Sequence, residues 1–523
     1  MSQSIYRKVG IATLIMMASV FLSRVIGLIR EMAIAYMGGI GGGVDAYQIA
    51  FIIPEILNHV LASGFLSITF IPIFTHYLSE NQEEEGWQVF SIILTTFGSL
   101  LLLLIIVAMV LAPWLVKLLA PGLDDPVRLS AAIRMTRIII PAQFFFFCGG
   151  LLMAVQFARE KFFIPALAPL LYNFGIIAGG ALLGHRLGME GFSWGVLAGA
   201  FLGNFAIQVY GARKVGLRFA FRFHPTHPDL IRYVKLTLPL MVGLTMTFST
   251  EIFLKFFGSF LPSGSIAGLN YGLRVMLMMV GLFGQAAGVA SFPFLSQLAA
   301  SRQLDEMNRL LNTTIRYLGL LLPFSALLMV LRHEVVILLF QRGLFDAAAA
   351  DLTAQALLFL MTGAVAFAVQ TVVVRGFYAM QNTILPAAFG TLAVLFSLPI
   401  YWLGLHFMDV AGVALAISLS AFLQVSALYI VWNRKSGNKD SRMVYGFYGR
   451  MLLWAMVLGG LLEIVRRFLH TLIHTSQFNT SLIICIVTGC LFLVFLIAVG
   501  KYFKIPEITI LTNRIKAKVG WVE

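Results

Sequence analysis

Apolar residues run through this chain in blocks of twenty or more, separated by short polar breaks, and do not follow the i, i+3, i+4, i+7 stripe of a helix with one wet face. A helix needs ~20 apolar residues to cross the hydrocarbon core of a bilayer. By that measure the pattern predicts fourteen spans, at roughly 10–36, 45–76, 87–120, 130–157, 162–184, 191–212, 233–260, 266–299, 310–332, 352–380, 384–407, 411–433, 449–472 and 480–500. A helix satisfies its backbone hydrogen bonds within one segment, as lipid demands. The predicted fold class is therefore an all-α polytopic membrane protein. The first apolar block continues past twenty residues and carries Arg24, Arg30 and Glu31, so it reads as a retained span and not a cleaved signal peptide.

Compared with itself, the chain repeats at one offset. ITFIPIFTHYLSE closes the second span and ASFPFLSQLAAS the eighth, which sets Pro72 opposite Pro293, 221 positions on. Gly122 and Gly343, Pro165 and Pro386, and Gly191 and Gly412 keep that offset without gaps. Each copy holds six spans, an even number, so the copies share a topology and are related by an axis along the membrane normal. The expected organisation is an N-lobe at 1–220 (spans 1–6), a C-lobe at 221–440 (spans 7–12), and a C-terminal helix pair (spans 13–14) with a cytoplasmic tail at 441–523. Two facing six-helix lobes are the architecture of an alternating-access transporter.

Composition agrees and adds a sign. Of 523 residues, 59% are hydrophobic and 11% charged, against ~25% charged in a soluble domain, and the mean hydropathy is +0.91. A soluble globular protein is excluded. The formal net charge of +14 suits nucleic acid, an anionic membrane surface or an anionic substrate. No stretch is long and polar enough to form a nucleic-acid-binding face, so no nucleic-acid partner is expected. The basic residues outside the spans gather at 7–8, 213–235, 434–450 and beyond 501, which places both termini in the cytoplasm by the positive-inside rule. The acidic loop with Glu83, Glu84 and Glu85 weighs little in that rule. Cys148, Cys485 and Cys490 lie in apolar runs without metal-ligand spacing and read as packing residues. No P-loop occurs, so no nucleotide, cofactor or metal is expected, and membrane potential or an ion gradient is left to drive a cycle.

Ionisable side chains at bilayer depth cost ~2.5 to 3.5 kcal/mol each on insertion scales and mark function. FLSRVIGLIREMAIAYMGG places Arg24 and Arg30 six residues and roughly 120° apart on one helix, a spacing that can grip one anion from two sides. Glu31 can hold the neighbouring guanidinium. MGGIGGGVD supplies a hinge at Gly41, Gly42 and Gly43, and Asp45 reads either as a helix N-cap or as partner to a cavity arginine. Pro54 predicts a kink and a further hinge. With Glu55, Asn58, His59 and Ser63 it forms a polar stripe at helical spacing, candidate support for a cavity. LNYGLRVMLMMVG puts Arg274 in the first third of the eighth span. Glu251 and Lys255 are expected to neutralise each other one turn apart, and Arg134, Arg137 and Arg375, near span ends, to snorkel. Arg24, Arg30 and Arg274 come from both lobes with few acidic partners. Their planar, permanently charged forks suit phosphate or pyrophosphate; the competing reading pairs all three structurally.

FLSRVIGLIREMAIAYMGG, VDAYQIAFIIPEIL and GFLSITFIPIFTHY together resemble the MurJ (MviN) family of lipid II flippases, in the multidrug/oligosaccharidyl-lipid/polysaccharide exporter superfamily. The similarity extends over essentially the whole chain. It implies that Arg24, Arg30, Asp45 and Arg274 match cavity residues of the family and that the last two helices form a groove for an undecaprenyl tail. The implied cargo is lipid II or a related undecaprenyl-pyrophosphate lipid, carried to the periplasmic leaflet of the bacterial inner membrane for peptidoglycan synthesis and cell shape. Other cell-wall synthesis proteins are the implied partners, besides the bilayer itself. The chain departs from the family at Ile52, Asn58 and His59, where members often carry further basic residues, and at Leu273, where they carry an Asp. The eleventh span has no counterpart to the sodium-site carboxylates of some members.

Two rivals compete with this reading. One is another exporter of the superfamily, for a different polyprenyl-linked glycan or a drug. The other is a membrane-embedded glycosyl- or phosphotransferase, which needs convergent Asp, Glu or His residues in a polar loop. The longest internal loop carries His224, His227 and Asp229 in HPTHPD, broken by prolines, and is expected to be a solvated connector near anionic headgroups.

Overall fold

The computed structural model describes the backbone of residues 2–59, 65–243, 245–473 and 475–502, and their side chains apart from 2–9, 65–68, 238–243, 245–249 and 499–502. Every regular element among the described residues is a helix. The chain packs as two compact units, Met1–Ala267 with Arg342–Phe345, and Gly268–Gln341 with Asp346–Glu523.

In the first unit α1 (Ser2–Gly38) leads through a glycine turn to α2 (Gly42–Ala50), α3 (Ile52–Leu57), α4 (Phe65–Ser79) and α5 (Glu83–Leu119). Then come α6 (Pro126–Ile139), α7 (Ala142–Ala158), α8 (Phe163–Leu187), α9 (Met189–Ala200), a π-helical turn, α10 (Ile207–Lys214), α11 (Pro228–Gly243) and α12 (Thr245–Gly258). The second unit starts within α13 (Ser265–Val280) and continues with α14 (Ala286–Ala300), α15 (Leu304–Leu318), α16 (Leu321–Val330), α17 (Arg332–Phe340), α18 (Ala347–Ala379), α19 (Ile384–Ser436), α20 (Ser441–Leu472) and α21 (Gln477–Tyr502). Among the described residues, ten helical stretches are long and apolar enough to cross a membrane. One of them, α19, runs 53 residues and breaks at Asp409 (φ 47°, ψ −124°), between the predicted spans 384–407 and 411–433.

The second predicted span is not one rod. Pro54 has no N–H to offer the carbonyl of Ala50, so the helix stops there, Phe51 N–H turns back to Gln48 at 3.3 Å, and α3 restarts at Ile52.

The 221-residue offset reappears in backbone conformation. Positive φ falls at Asn81 and Arg302, Glu160 and Gln381, Gly188 and Asp409, and Gly216 and Gly437, each pair 221 apart. Most of these residues follow a helix end, where a left-handed residue closes the last turn. Left-handed φ costs a non-glycine residue ~1 to 2 kcal/mol, yet Arg302, Glu160, Gln381 and Asp409 adopt it. The repeated turn geometry thus persists where residue type has changed.

Glycine spacing sets the closest packing in the first unit. Gly175 and Gly179 on α8 face Gly199 and Gly195 on α9, and a Cβ on Gly179 would lie 2.4 Å from the Gly195 Cα. Such small-residue stripes let helix backbones touch where the hydrophobic effect cannot drive association. Phe97 on α5 and Tyr233 on α11 stack edge to face at 5.4 Å, and Thr69 and Thr237 hydroxyls meet at 3.1 Å. These contacts hold α11 in the first unit, although the sequence repeat begins a new copy near 221.

Candidate functional site

On α1, Ser19, Ser23, Gly27 and Arg30 share one face, because steps of four, four and three residues at ~100° each return to nearly the same side. That face lies on α8. Ser19 Oγ donates to the Ala166 carbonyl at 2.5 Å, Asn173 Nδ2 donates to Ser23 Oγ at 3.4 Å, and Arg30 Nη1 donates to Asn173 Oδ1 at 2.9 Å. Asn173 is itself held by a 2.9 Å bond to the Pro169 carbonyl. Arg30 Nη2 meets Glu31 Oε1 at 2.5 Å, and Glu31 is buried. Successive helix positions diverge, but these two side chains are long enough to close the gap. Arg30 is therefore clamped from two sides, with its buried Nε lacking an acceptor among the described residues. Arg24, on another face of α1, is exposed.

Asp45 is a cap, but not of its own helix. Gly41 takes the N-cap position of α2 without a side-chain bond. Asp45, 2% exposed, accepts from Gly264 N–H at 2.5 Å and from Ala267 N–H at 2.8 Å. It thus satisfies two first-turn donors of α13 from 219 positions away. The glycines before it are packed: a Cβ on Gly42 would lie 2.6 Å from Arg128 Cδ, and one on Gly43 would lie 3.4 Å from Met189 Cγ. Gly343, at φ +61°, seats its loop on the end of α1, where Leu344 N–H donates to the Tyr36 carbonyl at 2.9 Å. Its repeat partner Gly122 does the same at the end of α12, donating to Ser259 Oγ at 3.1 Å.

Lys255 reaches beyond the expected pairing with Glu251. Its ammonium, on a residue 1% exposed, donates to Glu55 Oε2 at 2.8 Å and so ties α12 to α3. His59 Nδ1 lies 2.7 Å from the Glu55 carbonyl, and Asn58 is half-buried. Ser63 lies outside the described residues. In the second unit Arg274 is half-buried on α13 beside buried Leu273, in a stretch where Gly268 and Gly272 draw the helix against α18.

The span-end arginines, exposed at their bonds, also have protein partners. Arg134 pairs with Glu190 at 2.7 Å, Arg137 donates to the Met109 carbonyl at 2.9 Å and Arg375 to that of Gln285 at 3.4 Å. HPTHPD is mostly exposed, as expected of a solvated connector, and is anchored at its end, where Tyr77 donates to Asp229 Oδ2 at 2.7 Å. Burial and then that bond push the Tyr77 hydroxyl up to about 12. Nearby, Arg159 and Trp87 both donate to Glu83 and hold its carboxyl below the usual range. Cys148 is buried, Cys485 half-buried and Cys490 exposed.

Asn173 and the Lys255–Glu55 contact were missed by sequence reasoning. A lone Asn in LLYNFG, inside an apolar span, was the available signal for the first. None was available for the second, because its partners are 200 positions apart.

The chain is similar to known proteins. The profile of the family described as lipid II flippase MurJ matches residues 34–484. A lipid II flippase MurJ of Burkholderia cenocepacia is 28% identical over 450 residues, covering 84% of this chain and 87% of that protein. A probable lipid II flippase MurJ of Vibrio cholerae is 26% identical over 462 residues, covering 86% and 87%. Among solved structures, a lipid II flippase MurJ in an inward closed conformation superposes with a TM-score of 0.74 at 22% identity, over 94% of this chain and 99% of that one. An inward-facing multidrug resistance transporter of the MATE family gives 0.66 at 12% identity, over 79% and 94%. The last two show likeness of fold.

Proposed function

The chain belongs to the lipid II flippase MurJ family, and from that premise we propose that it carries lipid II from the cytoplasmic to the periplasmic leaflet by alternating access. It is a transporter of peptidoglycan synthesis and not an enzyme. Its place is the bacterial inner membrane, with both termini in the cytoplasm.

The observation that carries the anion site is the arrangement on α1. Arg24 is exposed, while Arg30 is held by Asn173 and Glu31 with one buried donor still to satisfy. A clamped guanidinium loses little freedom when an anion arrives, and an arginine stays charged throughout the cycle. We assign the pyrophosphate to these two groups, and Arg274 to the same role from its depth in the eighth predicted span and from the family resemblance. The polyprenyl tail stays in lipid beside α20 and α21. The cycle is driven by membrane potential, which acts with ~2.3 kcal/mol per charge per 100 mV, or by an ion gradient. An Arg-rich site of this kind does not suit cationic drugs.

The test is lipid II translocation in proteoliposomes, with complementation of flippase-depleted cells. Arg24→Ala, Arg30→Ala and Arg274→Ala should each lose transport. Arg24→Lys should keep part of it. Arg30→Lys should not, because an ammonium cannot span Glu31 and Asn173 as a planar fork does. Normal transport by all three alanine variants would remove the arginine site from the mechanism.

A further inference from the structure

Away from the Arg30 clamp, the first unit holds a cavity of about 900 Å³ between the N-terminal half of α1, the α7–α8 turn and the end of α10. Its wall is mostly apolar, with Ile11, Ile15 and Phe162 among the lining residues. Its rim carries Arg159, Lys161 and Lys214 against one carboxylate, Glu160. The positive-inside assignment puts this rim at the cytoplasmic surface.

Three further features point to a phosphate with a hydroxyl-bearing substituent. First, α8 opens at this cavity with no side-chain cap, so the amides of Phe163 and Ile164 add the positive end of a 25-residue helix. Second, Arg159 Nε is buried with no acceptor among the described residues, although the same side chain holds Glu83. Third, Gln156 is fully buried and lines the cavity, and its Oε1 has no donor among the described residues. Lys214 is held 4.4 Å over the Tyr210 ring, its charge at the rim.

We propose that this cavity binds an anionic glycerophospholipid of the cytoplasmic leaflet, of the phosphatidylglycerol type. The phosphate is taken by Arg159 Nε, Lys161 and the first amides of α8, and Lys214 adds to the field. A hydroxyl of the glycerol headgroup donates to Gln156 Oε1, which a choline headgroup cannot do. One acyl chain follows the apolar wall along α1. The site is separate from the residues assigned to cargo, and its failure would leave that assignment untouched.

Native mass spectrometry of the full-length chain in detergent, titrated with phosphatidylglycerol or phosphatidylcholine, tests this. The phosphatidylglycerol adduct should dominate. The double variant Lys161→Glu/Lys214→Glu should weaken it about tenfold or more, from the reversal of two basic charges at the lipid surface. Ala12→Trp, which fills the wall and leaves every charge in place, should also weaken it while thermal unfolding in lipid-free detergent stays at the parental value; it carries the test if the double variant fails to fold. Arg434→Glu/Lys435→Glu, an exposed basic pair elsewhere, should leave the adduct unchanged. The proposal is overturned if both cavity variants keep parental occupancy. It is overturned equally if the Arg434/Lys435 variant loses as much, or if millimolar inorganic phosphate displaces the lipid.

Discussion

Replacing Asp45 with alanine should loosen the start of α13 by an amount that can be worked out from the contacts. The carboxylate is 2% exposed and accepts from two backbone N–H groups, at 2.5 and 2.8 Å. Losing an N-cap costs ~0.5 to 2 kcal/mol, and stranding a buried donor costs ~1 to 3 kcal/mol. The two donors share one carboxylate and water can reach part of the opened turn, so about 2 to 3 kcal/mol is the expected total. At 1.36 kcal/mol per tenfold, amide exchange around 264–267 should speed up ~30- to ~150-fold. Hydrogen exchange read by mass spectrometry on a peptide covering that turn measures it, with a peptide from α18 as the unaffected control. Asp45→Asn should fall between parent and alanine, because one amide oxygen can serve one of the two donors and the amino group opposes the other. Exchange unchanged in Asp45→Ala, or sped up equally in α18, would refute the cap.

Further predictions rest on single contacts. Lys255→Met should destabilise the first unit by about 1 to 3 kcal/mol, below the ~3 to 5 kcal/mol of a fully buried broken pair, because the Glu55 side chain keeps 26% exposure. The double variant Lys255→Met/Glu55→Gln should recover part of that in denaturant unfolding, and a coupling energy of zero would sever the pair. Glu83, held low by Arg159 and Trp87, adds stability above its ordinary pKa near ~4.5. That stability disappears as pH falls through the lower native value, so Glu83→Gln should flatten the acid limb of Trp87 fluorescence against pH; an unaltered limb would reject the linkage. Gly343→Ala should lower thermal stability, since the residue sits at φ +61° and the new Cβ would meet the Tyr36 carbonyl oxygen at 2.4 Å. A parental melting temperature would show that the loop can shift freely.

Much of the fold was legible in the chain because lipid imposes a blunt rule: a segment without water must be an apolar helix. The offset of 221 was legible too. The turns at Asn81 and Arg302, or Gly188 and Asp409, show why: turn geometry outlasts residue type, and four pairs of prolines or glycines sufficed to reveal its period. Arginines at depth were visible as residues out of place. Their environments were not, because a helix face is defined only by what packs on it. Arg24 and Arg30 look alike in sequence, and only α8 makes one a clamped group and leaves the other exposed. Asp45 read as a local cap or as partner to a cavity arginine because capping rules are local, whereas its donors arrive from 219 positions on. Lys255 read as neutralised within its own helix for the same reason. The sequence alone determined the all-helical, membrane-spanning class and the repeat; the tertiary structure decided which charges are spent on holding helices, since pairing depends on distance in space, which is not encoded in separation along the chain.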